Sequence, residues 1–322
     1  MSDRPVDVSV IMPAWNAAGF IERSIASALA STGVTVEVVV VDDASPDATF
    51  EVLRRLSAQD GRVLADRLPQ NSGPSAARNR AIELSRGRYI AILDADDSMT
   101  PSRLASLVAL ADTSSADIIV DNMIEVDEAG RALGEKPFLK SAAFTADHDI
   151  DLATWVRFNQ PMKQNDCLGY LKPLIRRSTL DKSGVRYDPA LRNSEDYYLM
   201  AHLLAEGART IYSAEPGYLY QRSASSISHR LKPVHTKAWL DAERRFCEQY
   251  AGKLAADTKE ALAARGRALR DVNQFVSVVD AMQAKKPAAL FGALASDFHA
   301  AGYTLSTLAK IAMGKALRRK LV

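Results

Sequence analysis

The sequence predicts an α/β protein whose mostly parallel sheet carries helices on both faces, followed by a helical C-terminal extension. Residues 8–12, 36–41 and 89–93 are short apolar runs rich in β-branched side chains, the pattern of strands buried on both faces. Stretches of helical spacing lie between them. Strand alternating with helix at this pitch implies right-handed crossovers and a parallel sheet. From His235 onward the chain is alanine-rich and helical in pattern.

The helices have marked ends. Ile21, Ile25, Ala28 and Leu29 share one face of the first. Ser45, Pro46 and Asp47 predict the start of the second, with Ser45 as side-chain cap, a preset φ and an acid at the positive end of the dipole. The loop Asn71-Ser72-Gly73-Pro74 precedes a helix over residues 75–85, and Thr100-Pro101 opens another that ends near Ala111. Beyond about Asp121 the pattern weakens. Residues 128–131 read as a hairpin turn, 152–158 as a helix and 168–175 as a strand, while 134–150 show no clear period. Residues 194–205 read as a helix capped by the Ser194 side chain, with Glu195 and Asp196 in its first turn, and 209–212 and 218–222 as two short strands.

At 322 residues the chain exceeds the commonest size of one domain, so one large domain with an appendage is expected. Its 41 basic and 39 acidic residues leave a net charge of +2, which argues against nucleic acid or an acidic polymer as partner. Cys167 and Cys247 lack the short spacing of a zinc site or redox pair, so they read as small buried apolar residues in a reducing compartment. Residues 1–7 lack the apolar core of a secretory signal, and no uncharged apolar stretch of about 18 residues occurs. The expected address is the cytoplasm.

Open α/β sheets bind ligands at the carboxyl ends of their strands, where the strand order reverses. Four constellations are relevant to such a crevice. Asp94-Ala95-Asp96-Asp97 places three carboxylates just past a buried strand, where they repel one another; a divalent cation with a diphosphate would offset that, and a solvated acidic turn is the plain alternative. Asp42 and Asp43 end the most hydrophobic strand, placed to accept from a base N–H or a ribose hydroxyl, or simply to cap the next helix. Arg78, in Gly73-Pro74-Ser75-Ala76-Ala77-Arg78-Asn79, suits phosphate oxygens at a helix start, with a surface arginine as the alternative. Asp196, in Asn193-Ser194-Glu195-Asp196-Tyr197, would be held ionised by the helix dipole, as a base or as an ordinary helix start. Together these are the parts of a sugar transfer from a nucleotide diphosphate.

Pro13-Ala14-Trp15-Asn16, Val41-Asp42-Asp43-Ala44-Ser45, the Gly73 to Asn79 run, Asp94-Ala95-Asp96-Asp97 and Ser194-Glu195-Asp196 resemble family 2 glycosyltransferases in order and spacing, over about residues 6–230. The resemblance implies the GT-A fold, with residues 1–235 as the catalytic domain and 236–322 as a basic helical extension. Within the domain, about 1–120 would bind the nucleotide sugar and 121–235 the acceptor. It further implies an inverting, metal-dependent transfer of a hexose from a UDP-sugar donor to a saccharide acceptor. Pro13, Ala14 and Asn16 would line the nucleotide pocket, Asp43 would accept from uracil, and Arg78 would lie beside the nucleotide. Asp94 would bind ribose or a metal-bound water, Asp96 would coordinate Mg²⁺ or Mn²⁺ with Asp97 assisting, and Asp196 would be the general base. Trp15 stands where the family commonly has a smaller aromatic.

Residues 169–177 and the segment around Asp196 look like bacterial exopolysaccharide glucosyltransferases of the succinoglycan type, which implies UDP-glucose and a lipid-linked acceptor at the inner membrane. Residues 217–229 resemble the segment that follows the base; His229 and Arg222 would then meet the diphosphate or the metal, or else be surface residues. Residues 285–322 carry seven basic residues, among them Lys285, Lys286 and Arg318, against the single acid Asp297. Such a tail suits either an anionic membrane surface or packing on the catalytic domain. Two other functions have distinct sequence requirements. A non-catalytic nucleotide-sugar-binding protein would not need Asp196, and a nucleotidyltransferase would show a glycine-rich basic loop after its first strand, which Pro13-Ala14-Trp15-Asn16 is not.

Overall fold

The computed structural model describes residues 5–161, 166–222, 231–295, 297 and 300–307. Contacts divide the chain into two units: Met1–Phe158 with Asn165–Ser226, and Asn159–Gln164 with Ile227–Val322.

The first unit is built on a nine-stranded sheet. Its strands are β1 (Val8–Ala14), β2 (Val36–Asp42), β3 (Val63–Arg67), β4 (Tyr89–Ile92), β5 (Ser98–Met99), β6 (Ile118–Val126), β7 (His148–Ile150), β8 (Leu174–Arg176) and β9 (Thr210–Gln221). They run in the order β3-β2-β1-β4-β8-β6-β9-β5, with β7 on β9. The helices are α1 (Ile21–Leu29), α2 (Thr49–Gln59), α3 (Pro74–Leu84), α4 (Arg103–Ser114), α5 (Leu152–Arg157), α6 (Arg177–Ser183) and α7 (Glu195–Ala205). The strands β3, β2, β1 and β4 pair in parallel, as the early sequence pattern predicts. The later strands alternate: β8 is antiparallel to both β4 and β6, whereas β6 and β9 are parallel. Chain order runs outward from β1 to β3 and returns to β4 on the other side of β1, so the reversal lies between β1 and β4. Their carboxyl ends carry Pro13 to Asn16 and Asp94 to Asp97.

Val10, Ile11, Met12, Val38 to Val41 and Tyr89 to Ala91 are fully buried, which explains why β1, β2 and β4 are legible as apolar runs. β3 escaped detection because Val63-Leu64-Ala65-Asp66-Arg67 sits at the sheet edge, half solvated and partly polar. β6 was obscured by Asp121 and Asn122, both buried. Arg103, whose side chain is fully buried, pairs with Asp121 at 2.8 Å, and the Asn122 amide exchanges two hydrogen bonds with the Leu139 backbone. The pair expected as two strands at 209–212 and 218–222 is one strand, β9, that continues past Pro216 and Gly217 through a register shift opposite β6. Residues 168–175 are not a continuous strand either. A single 3-10 turn over Leu168–Tyr170 precedes β8, and Pro173 before it denies the ladder one donor.

Two predicted caps differ. α2 starts at Thr49, and the Ser45 hydroxyl instead accepts from the Asn16 backbone N–H at 2.9 Å. Ser194 does precede α7, but at φ 59° it makes no side-chain cap bond. The two cysteines are half-buried, not fully buried: Cys167 sits where the 3-10 turn begins, and Cys247 at the edge of a buried helix face, where burial pushes its thiol up to about 11.

In the second unit α8 (Pro233–Tyr250) packs on α9 (Ala256–Gln283), followed by α10 (Pro287–Ala295). Trp239, Phe246, Tyr250, Leu262 and Leu269 form its core, and Arg265 and Glu243 make a buried ion pair at 3.3 Å. Among the described residues no helix is long and apolar enough to cross a membrane.

Candidate active site

Three strand ends meet at the β1/β4 reversal. Past β1 the backbone turns through Asn16 at φ 54°, and past β2 through Ala44 at φ 53°, both in the left-handed region that a side chain disfavours by about 1 kcal/mol or more. Cross-bonds between the two loops hold these conformations. Besides the Asn16–Ser45 bond, the Ala17 N–H donates to the Thr49 hydroxyl at 2.8 Å and the Ala18 N–H to Asp47 at 3.2 Å. Trp15 projects from the first loop, 47% exposed. Asp43 is buried and accepts from the backbone N–H groups of Ser72 at 2.6 Å and Gly73 at 2.8 Å. The second bond needs Gly73 at φ 90°, a conformation that glycine adopts without strain.

The aspartates after β4 have three different environments. Asp94 lies between two cations, Arg78 at 2.6 Å and Lys172 at 2.8 Å. Burial works to raise its carboxyl, but Lys172 and Arg78 outweigh burial and hold it far below the usual carboxylate range. Asp97 turns inward, where it accepts from the Tyr218 hydroxyl at 2.6 Å and the Gln221 backbone N–H at 2.8 Å. Burial, with the charges of Asp96 and Asp94, pushes Asp97 well up. Asp96 is half-buried, and its carboxylate has no hydrogen bond or ion pair to another described residue; burial and then the Asp94 charge raise it, against its own backbone N–H. Its backbone carbonyl is fixed by Arg23 of α1, which also bonds Gln221. Cations of the chain therefore offset the charge of Asp94 alone; Asp97 is held by two neutral donors, and Asp96 is the one whose carboxylate bonds to no other described residue.

Two of these anchors were not singled out by sequence reasoning. Lys172 is buried, and its ammonium sits 2.7 Å from Asp196 as well as 2.8 Å from Asp94. Burial alone would lower it; Asp196 and Asp94 reverse that and hold it far above the ordinary lysine value. The available signal was a lysine inside the apolar run Leu168 to Ile175, where a charge needs a partner. Tyr187 donates to the other Asp196 oxygen at 3.1 Å. Its backbone is clamped from both sides by Asn79 of α3, at 2.9 and 3.0 Å.

Arg78 is buried and not a surface arginine. Its two terminal nitrogens go to Asp94 and Glu195, each at 2.6 Å, Asp196 is 3.8 Å away, and its guanidinium lies 5.3 Å from the centre of the Tyr187 ring. Both terminal nitrogens are thus bonded to carboxylates of the chain. Asp94, Arg78, Glu195, Asp196 and Lys172 form one network, buried except at Asp94, that joins the end of β4, α3, the segment before β8 and the first turn of α7. Asp43 makes its separate bonds to Ser72 and Gly73. Arg222 is half exposed and pairs with Glu125 at 2.8 Å, and His229 lies outside the described residues.

A divalent cation needs hard oxygen ligands, and among the described residues no group of three His, Cys, Asp or Glu side chains is placed to supply them. An unpartnered carboxylate at Asp96 fits a cation whose remaining ligands come from phosphate oxygens and water.

Residues 9–171 match the model of Glycosyl transferase family 2. Succinoglycan biosynthesis protein ExoO of Rhizobium meliloti is 37% identical over 92% of this chain and 83% of its own length, and ExoU of the same organism is 36% identical over 83% and 76%. Among solved structures, S. aureus TarS residues 1–349 in complex with UDP-GlcNAc has a TM-score of 0.60 at 16% identity, over 89% of this chain and 90% of that one. The longer S. aureus TarS chain, of which this chain spans 54%, has a TM-score of 0.62 at 18% identity. The mannosyltransferase PcManGT from Pyrobaculum calidifontis in complex with GDP-Man and Mn²⁺ has a TM-score of 0.59 at 20% identity, over 98% and 83%. These likenesses share the GT-A architecture, and the sequence matches are stronger still. The chain belongs to glycosyl transferase family 2.

Proposed function

We propose that this protein is an inverting, metal-dependent glycosyltransferase that moves a hexose, glucose from UDP-glucose, onto a saccharide acceptor in exopolysaccharide or other cell-surface glycan synthesis. The observation that carries the reading is the position of Asp196. It is a buried carboxylate in the same ion network as Asp94, at the strand ends where a nucleotide binds such a sheet. A protein that only bound nucleotide sugars would need no base at that position. The names of ExoO and ExoU support the pathway, the TarS complex supports a UDP-sugar donor, and the PcManGT complex supports the cation.

In this reading Pro13, Ala14 and Asn16 line the nucleotide pocket. Asp43 retains acceptor capacity for uracil, because a carboxylate has about four lone-pair sites and two are used. Asp94, fixed by Arg78 and Lys172, meets the ribose or a metal-bound water, and Arg78 acts beside the nucleotide by holding Asp94. Asp96 holds Mg²⁺ or Mn²⁺. When bound, that ion neutralises charge on the leaving diphosphate. Asp196 takes the proton of the acceptor hydroxyl as its oxygen bonds to the anomeric carbon from the face opposite UDP, and the bond from that carbon to the diphosphate oxygen breaks. The configuration inverts in this single displacement.

A lipid-linked saccharide acceptor fits a location in the cytoplasm, peripheral on the inner membrane face. The described part of the tail is compatible with this, since Lys285 and Lys286 are exposed and Phe291 is 75% exposed. The decisive variant for the assigned chemistry is Asp196→Asn. It should bind UDP as the wild type does and lose turnover by about 10²-fold or more; full activity would remove the base assignment.

A further inference from the structure

We propose that Lys172 is a positioning residue that ties the donor-side carboxylate Asp94 to the base Asp196 through one buried ammonium, so that donor site and base are held in one geometry. The proposal rests on the function assigned above.

A lysine between Leu171 and Pro173, with both neighbours buried, is an expensive way to fill space, because its charge leaves water. An apolar side chain of similar length would pack there without that penalty. What the ammonium adds is directed bonding. It reaches Asp94 at 2.8 Å and Asp196 at 2.7 Å, carboxylates supplied by two different elements. Asp196 is thereby pinned at both oxygens, one by Lys172 and the other by the Tyr187 hydroxyl. Each oxygen keeps a lone pair, so one remains for the acceptor proton.

The charged and titratable groups around the pair are few. Arg78 stands 3.8 Å from Asp196 but is committed to Asp94 and Glu195, and Glu195 adds a like charge beside Asp196. Tyr170 and Tyr220 lie near enough to Lys172 to feel its charge. Among the described residues Lys172 is thus the one cation within hydrogen-bond distance of both aspartates. Without it Asp196 would lose its closest positive charge and one of its two tethers.

The test compares full-length Lys172→Met and Lys172→Arg with the wild type, measuring UDP binding by calorimetry and kcat and KM for UDP release from UDP-glucose. Lys172→Met should bind UDP with KM little changed and lose about 10²-fold in kcat. Lys172→Arg should recover part of that loss and stay about tenfold below the wild type in kcat, since a planar fork does not reproduce a point charge shared by two carboxylates. A merely structural lysine would weaken UDP binding and raise KM along with any loss of kcat, which overturns the proposal. Should Lys172→Met fail to bind UDP, Lys172→Arg decides: wild-type kcat, or UDP binding no better than in Lys172→Met, overturns it. A wild type that releases no UDP from any UDP-sugar removes the assigned function and this role with it, whereas an active wild type with kcat unchanged in Lys172→Met removes this role alone.

Discussion

The Tyr218 hydroxyl donates to Asp97 at 2.6 Å, beneath the acidic run, and the same oxygen accepts from the Asp94 backbone N–H at 3.2 Å. A tyrosine on β9 therefore holds the turn after β4 from below and occupies the carboxylate that the sequence suggested as a second metal ligand. Tyr218→Phe would leave Asp97 buried with one donor, the Gln221 N–H. The expected loss is about 1–3 kcal/mol of stability, the usual result of stranding a buried polar group. Urea unfolding should show a lower midpoint at unchanged slope; an unchanged midpoint would mean that the bond contributes nothing.

Asp94 gives a pH dependence of defined sign. Burial opposes ionisation, yet Lys172 and Arg78 hold its folded carboxyl far below the unfolded value of about 3.9. Its contribution to stability is therefore complete above that unfolded value and lost as pH falls toward the folded one. Asp94→Asn should be less stable than the wild type by about 3 kcal/mol at neutral pH, with the gap closing below about pH 4. Thermal unfolding of both proteins across that range is the check, and a gap that widened in acid would contradict the pairing.

Flotation with anionic vesicles should carry the full chain upward, and a chain ending before Lys285 should stay behind. Added salt should weaken the binding, since each basic residue near such a surface contributes about 1 kcal/mol by a screened interaction. Equal flotation of both chains would remove the tail as a membrane anchor.

The parts legible in the sequence were those with one dominant physical cause. Val38 to Val41 announce a buried strand because nothing polar interrupts them, and Asp94 to Asp97 stand out because three acids follow such a strand. The parts that were missed depend on partners distant in sequence. β6 was hidden because Asp121 is satisfied by Arg103, and Lys172 and Tyr187 gain meaning only when α7 brings Asp196 to them. Ser45 differs from its expected role for the same reason: its hydroxyl serves the Asn16 backbone in a neighbouring loop and not its own helix. Local grammar finds the strand ends; the network that joins them to α7 is a property of the folded chain.

The central claim is that the unpartnered carboxylate of Asp96 receives the cation that accompanies a uridine diphosphate donor. Calorimetry of UDP binding to the wild type and to Asp96→Ala, each with and without Mn²⁺, tests it most directly. The account predicts uptake by the wild type that strengthens with Mn²⁺, and an Asp96→Ala protein in which Mn²⁺ no longer strengthens it. No uptake of UDP by the wild type with Mn²⁺ present, or an undiminished effect of Mn²⁺ in Asp96→Ala, would contradict it.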